Sequence, residues 1–142
     1  MPLLRSMLKS KLHRATVTQA DVDYEGSLTL DRNLLEAADV LPYEDVHVWN
    51  VTRGTRFRTY AMEGDANSGV VCVNGAAAHL ASPGDVIIVA TYVLLDDERA
   101  RHYRPRIVLL GPNNRIKDAT YTEVAGPRRP FRSPLSEPDP TP

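Results

Sequence analysis

Between Lys11 and Leu110 the chain is a succession of short β-rich runs, and none of its helical signals lasts more than about two turns. That pattern limits the architecture more than any other feature. Lys11 to Val17 alternates loosely and ends in β-branched residues. Val46 to Val51 and Phe57 to Ala61 alternate cleanly about Thr52-Arg53-Gly54-Thr55, a hairpin signal. Val70 to Val73, Asp85 to Leu95 and Arg106 to Leu110 are further strand candidates. Asp31 is a candidate N-cap for a helix over Arg32 to Ala38, with Leu34, Leu35 and Ala38 on one face. Ala76 to Ala81 and Asp96 to His102 are long enough for one or two turns each. Short strands with interspersed single-turn helices predict a mainly β fold, a compact β-barrel with short helices.

Several partners are disfavoured by composition. A formal net charge of −1 and 6% aromatic content offer neither a phosphate-binding surface nor stacking platforms, so no nucleic-acid partner is expected. Cys72, the only cysteine, excludes an internal disulfide and reads as a small buried hydrophobe within Val70 to Val73. His79 and His102 have no carboxylate or cysteine at ligand spacing, so no metal is expected. The longest apolar stretch, Val86 to Leu95, is about half the length a membrane helix needs. Arg5 interrupts the N-terminal apolar residues before a signal-peptide core can form, and the expectation is a cytoplasmic protein without membrane association. Residues 1–123 form the expected domain. Residues 124–142, rich in Pro, Arg and Ser, form an expected disordered tail.

Four segments carry residues capable of chemistry. Tyr24-Glu25-Gly26-Ser27 reads locally as a turn. It also holds the parts for self-cleavage. The Ser27 hydroxyl can attack the Gly26 carbonyl, and glycine neither blocks the approach nor resists the backbone strain it requires. In Arg56-Phe57-Arg58-Thr59-Tyr60, strand alternation puts Arg56, Arg58 and Tyr60 on one face and Phe57 and Thr59 on the other. Arginine suits carboxylates and tyrosine can move a proton, although a solvated edge strand has the same pattern. Val73-Asn74-Gly75-Ala76-Ala77-Ala78-His79 is a strand leading into a helical turn with little side-chain cover over its N–H groups. Lys9 to Arg14 reads as a solvated charged face.

Together and in this order, these segments resemble the pyruvoyl-dependent aspartate 1-decarboxylases of bacteria. The resemblance runs from about Arg5 to Lys117. It includes Met7 to Arg14, Tyr24 to Ser27, Trp49-Asn50-Val51-Thr52, Arg56 to Tyr60, Val73 to His79 and Gly84-Asp85. It implies a double-psi β-barrel, a homotetramer and active sites between neighbouring subunits. It further implies self-cleavage at Gly26-Ser27 into a β chain of residues 1–26 and an α chain of residues 27–142. The α chain would begin with a covalent pyruvoyl group derived from Ser27, with neither metal nor pyridoxal phosphate. By the same resemblance Tyr60 is the proton donor, and Thr59, Gly75, Ala76, Ala77, Arg56 and Lys11 bind substrate. Asn74 and Thr59 assist cleavage.

The implied reaction converts L-aspartate to β-alanine and CO2, supplying β-alanine for pantothenate and coenzyme A synthesis. A ketone at residue 27 can condense with the substrate amine and accept the electron pair released with CO2. Two other readings stay open at this point: a non-catalytic barrel serving as a binding module, and a decarboxylase for another acidic amino acid. A need for an accessory maturation factor is also open.

Overall fold

The computed structural model describes residues 3–127. Nine strands form one hydrogen-bonded sheet: β1 (Leu4–Thr16), β2 (Gln19–Asp21), β3 (Ser27–Asp31), β4 (Asp45–Asn50), β5 (Arg56–Gly64), β6 (Val71–Asn74), β7 (Val86–Asp96), β8 (Arg106–Leu110) and β9 (Ile116–Tyr121). Their order is β2-β6-β3-β5-β4-β7-β1-β8-β9. Most neighbours are antiparallel, whereas β3–β5, β2–β6 and β1–β8 are parallel. One buried cluster takes Leu12 from β1, Leu28 and Leu30 from β3, Val46 and Val48 from β4, Val71 and Val73 from β6, Ile87 and Val89 from β7, and Val108 from β8. A single sheet whose strands share one core has to curve around it, which agrees with the expected mainly β, barrel-like fold with short helices. Among the described residues no helix is long and apolar enough to cross a membrane, and Val86 to Leu95 lies within β7.

Helix α1 covers Arg32–Ala38, with the Asp31 carboxylate accepting the Asn33 N–H at 2.8 Å and Leu34, Leu35 and Ala38 buried. The cap and the apolar face agree with the sequence. Asp31 has a second task that the sequence did not disclose. It also accepts the N–H groups of Asn67, at 3.2 Å, and Gly69, at 2.9 Å, in the β5–β6 connection. One buried carboxylate therefore joins the end of β3 to a loop 36 to 38 residues away. Asp31→Ala is expected to destabilise the fold by about 2–4 kcal/mol, because it removes a helix cap and strands two further donors. Urea denaturation checks this, and a loss below about 0.5 kcal/mol would contradict it.

The hairpin turn forms as expected, with Gly54 in the left-handed region at φ +77° and its N–H bonded to the Asn50 carbonyl. The other two predicted helical segments are shorter than expected: a 3-10 turn over Gly75–His79 and α2 over Asp97–Ala100. β1 is much longer than predicted, beginning at Leu4 rather than near Lys11. Its pairing with β7 shifts register between Leu8 and Ser10 and again between Leu12 and Ala15, where Arg14 has φ +68°. Bulges of this kind break the two-residue period on which a sequence reading depends.

The basic segment on β1 is not a uniformly solvated face. Lys9 reaches the Asp39 carbonyl and the Glu44 carboxylate, each at 2.5 Å, so it clamps the connection between α1 and β4. Ser10 is buried, sharing a hydrogen bond with Thr91. In the expected tail, residues 124–127 carry no helix or strand, and residues 128–142 lie outside the described residues.

Candidate active site

Ser27 opens β3 and is enclosed by its two neighbouring strands. On one side it pairs with Asn74, the last residue of β6. On the other, the parallel β3–β5 register begins at Leu28 opposite Ala61. One step back along both strands brings Ser27 alongside Tyr60, and two steps bring Gly26 alongside Thr59. Residues distant in sequence thus converge through strand pairing alone. Ser27 is 3% exposed and has φ +136°, a conformation that costs a residue with a side chain about 1–3 kcal/mol. The strain expected on glycine falls on serine instead: Gly26 is absent from the positive-φ residues, and a methyl group built on it would meet no atom within 4 Å.

Gly75 does need to be glycine. It has φ +70°, and a Cβ on it would lie 2.7 Å from the Gly26 Cα and 3.2 Å from the Gly26 nitrogen. The turn after β6 therefore backs directly onto the Gly26-Ser27 backbone. Asn74 is buried, and its side-chain oxygen accepts from the Cys72 thiol at 3.1 Å. Burial pushes the Cys72 thiol above its ordinary pKa, against the Asn74 hydrogen bond, and so keeps it protonated near neutrality. Cys72 is the inert buried thiol that the sequence suggested.

A cleft of about 630 Å³ opens in front of these groups, within the size range of small-molecule sites. Its walls include Gly26, Ser27, Tyr60 and Asn74 from the predicted site. They also include Tyr43, Asp21, Glu25 and Glu63, to which no function had been attached. Tyr43 stacks on Tyr60, with ring centroids 6.0 Å apart and planes inclined by 22°. Its local sequence, Leu41-Pro42-Tyr43-Glu44, carries only a turn signal, and pairing of β4 with β5 brings it to the cleft.

The remaining predicted residues lie outside the cleft wall. Arg56, Arg58 and Tyr60 do share the exposed face of β5, while Phe57 and Thr59 are half-buried on the other. Arg56 is about 13 Å along the strand from Tyr60 and lies over the Trp49 ring, 5.3 Å from its centroid. Arg58 pairs with Asp45, and that hydrogen bond holds the Asp45 carboxyl below its ordinary range. Ala76 is exposed on the 3-10 turn, and Ala77 packs against the core.

Lys11, on β1, is four strands from β3 in the sheet order and is paired with Glu123. His13 lies nearby with its Nδ1 buried and unpartnered among the described residues. Burial, and then the charges of Lys11 and Arg14, lower its pKa, while Glu123 opposes them. Among the described residues no group of three or more His, Cys, Asp or Glu side chains is arranged to hold a metal ion.

The sequence model of the family described as aspartate decarboxylase matches residues 3–117, well over half of the chain. The chain belongs to the aspartate decarboxylase family. It is 53% identical over 125 residues to the aspartate 1-decarboxylase of Myxococcus xanthus, covering 88% of this chain and 96% of that relative. It is 56% identical over 110 residues to the enzyme of the same name from Syntrophotalea carbinolica, covering 78% and 84% of the two chains. The aspartate 1-decarboxylase of Legionella pneumophila is 54% identical over 114 residues, covering 80% and 86%. In this family member the strained serine and the paired tyrosines line one cleft, and the turn at Gly75 packs behind Gly26.

Proposed function

We propose that the protein is a self-processing decarboxylase that converts L-aspartate to β-alanine and CO2 at a pyruvoyl group made from Ser27. The observation that carries the reading is the left-handed backbone of buried Ser27 between Tyr60 and Asn74, with Gly75 backed against Gly26. Membership of the aspartate decarboxylase family supports the substrate and reaction.

Maturation starts from the chain's own groups. The Ser27 Oγ attacks the Gly26 carbonyl carbon, the peptide C–N bond breaks, and the hydroxyl proton passes to the Ser27 nitrogen, leaving an ester. Strain at φ +136° raises the energy of the intact peptide and is relieved when that bond opens. Loss of the Ser27 α-proton, with departure of the Gly26 carboxylate, gives dehydroalanine at residue 27. Water adds and ammonia leaves, and the result is the pyruvoyl terminus of an α chain of residues 27–142 and a separate β chain of residues 1–26. Asn74 beside Ser27 and Thr59 at the level of Gly26 are the groups proposed to assist, with the Thr59 hydroxyl stabilising the oxyanion.

The fit of the site to such a group is supported by the cleft in front of residue 27 and by a back wall too close for any side chain at residue 75. When present, the pyruvoyl ketone supplies an electron sink for the pair released with CO2. Tyr60 gives a proton to the substrate α-carbon. Gly75, Ala76 and Ala77 border the substrate, with backbone N–H groups as donors.

The charges of the cleft support a shared site. Asp21, Glu25 and Glu63 line it, and the described lining contains no Lys, Arg or His. A substrate with two carboxylates would meet only like charge there. We therefore assign Arg56 and Lys11 to the same site from a neighbouring copy, as in a homotetramer with interfacial sites. Arg56 would hold the retained carboxylate through paired charge-assisted bonds, helped by Lys11.

Intact mass of the purified protein, with CO2 release from aspartate and glutamate side by side, tests the reading. Two chains, the larger beginning at modified residue 27, and preference for aspartate are expected. One extra methylene is worth only about 1–3 kcal/mol, so glutamate should be slower by roughly ten- to two-hundredfold. A single uncut chain, or equal rates for both acids, would refute the corresponding half.

A further inference from the structure

Tyr43 is in the left-handed region, φ +72°, where an aromatic residue with a Cβ is a conformational outlier and Gly or Asn is at home. Burial does not explain it, because the side chain is 74% exposed. Strained residues of this kind cluster at functional sites and persist where the surrounding structure over-determines them.

The surrounding contacts hold that conformation in place. The Tyr43 N–H donates to the Ala61 carbonyl at 2.7 Å, and the Ala61 N–H donates to the Glu44 carbonyl at 2.9 Å. The turn is thereby bonded to β5 at the residue following Tyr60. The Glu44 carboxylate accepts the Leu41 N–H at 3.0 Å and the Lys9 ammonium at 2.5 Å, while Lys9 also reaches the Asp39 carbonyl. A chain of contacts from β1 thus fixes a strained turn whose aromatic ring lies against Tyr60, and both rings face the cleft that contains Ser27.

We propose that Tyr43 is a positioning residue for the decarboxylation, its ring holding the Tyr60 phenol in the orientation from which it delivers a proton. This rests on the assignment of Tyr60 as proton donor. Tyr60 stands on the exposed face of its strand. A stacked neighbour removes ring rotamers that aim the hydroxyl away from the cleft, and proton delivery depends steeply on such alignment. The ring is what matters in Tyr43, not its hydroxyl.

The test compares Tyr43→Asn and Tyr43→Phe in the fully processed enzyme, each in the parent and in the Tyr60→Phe background. Asparagine accepts the backbone but removes the stack. It is expected to lower kcat about two- to tenfold, the range that a stacked aromatic pair supplies, with KM within about twofold and a thermal midpoint equal to or above the parent's. Tyr43→Phe keeps the ring and should match the parent in kcat, KM and thermal midpoint. In the Tyr60→Phe background, Tyr43→Asn should change kcat by less than about twofold, because the group being positioned is gone. Undiminished kcat in Tyr43→Asn overturns the proposal. So does a loss that persists in full without the Tyr60 hydroxyl, or a fall in thermal midpoint that tracks the loss of kcat. Tyr60→Phe alone reports on the underlying assignment: normal turnover there removes Tyr60 as the proton donor, whatever the Tyr43 variants do.

Discussion

Ser27→Ala is expected to leave one uncut chain that forms no product above the uncatalysed rate. The effect is this large because the substitution removes two functions at once. Alanine has no oxygen to attack Gly26, and an unmodified residue 27 has no ketone to accept electrons from the substrate. The neighbouring thiol cannot replace either, since Cys72 is buried, protonated and committed to Asn74. The fold should survive: alanine is smaller than serine, and it carries a similar backbone penalty at φ +136°. A denaturing gel, an intact mass and CO2 release from aspartate check the three parts. Residual decarboxylation by an uncut, correctly folded variant would remove the cofactor assignment altogether.

The second large effect is expected at Gly75. In Gly75→Ala the new methyl group lies 2.7 Å from the Gly26 Cα, and the obstacle is backbone that cannot rotate away. Either the turn after β6 or the scissile segment has to move. Self-cleavage requires Oγ and the carbonyl carbon in near-attack geometry, and a displacement of about 1 Å can cost a hundredfold in rate. Processing is therefore expected to slow by roughly that factor, accompanied by the 1–3 kcal/mol of strain typical of a left-handed alanine. Gly54→Ala provides the control. Gly54 has nearly the same φ, +77°, but open space around it and a position in the hairpin between β4 and β5. It should lose comparable backbone stability and still cut normally. Gel densitometry over time, beside urea denaturation of both variants, separates the two effects. Equal cutting rates would show that the approach to Gly26 does not set the geometry of the bond.

Features encoded by neighbours within a few residues were legible. The Asp31 cap, the apolar face of α1, the turn at Gly54 and the alternation that faces Tyr60 away from Thr59 all follow from local sterics and hydrogen bonding. β8 coincides with its apolar run, Arg106–Leu110. Features created by distant pairing were not legible. β2 has three residues and exists through its parallel partner β6. The start of β1 was hidden by charged residues and by register shifts, and β9 by a mostly exposed pattern without alternation. At Lys9 the sequence offered a charge, whereas the structure turns it into the clamp of the turn that bears Tyr43.

The sequence by itself determined the mainly β class, the membership in a decarboxylase family through ordered short motifs, and the Gly26-Ser27 bond as the candidate for cleavage. Those properties depend on residue type and spacing. Only the tertiary structure decided that the strain at this bond sits on Ser27, that Gly75 backs onto it, and that Tyr43 covers Tyr60. It also decided that the cleft is acidic, with Arg56 and Lys11 outside its lining. The geometry around Ser27, Gly75 and Tyr43 depends on strand register between residues 15 to 47 positions apart, as from Asp45 to Tyr60 or from Ser27 to Asn74. Register there is selected by which side chains share the core, a choice that no local window of sequence contains.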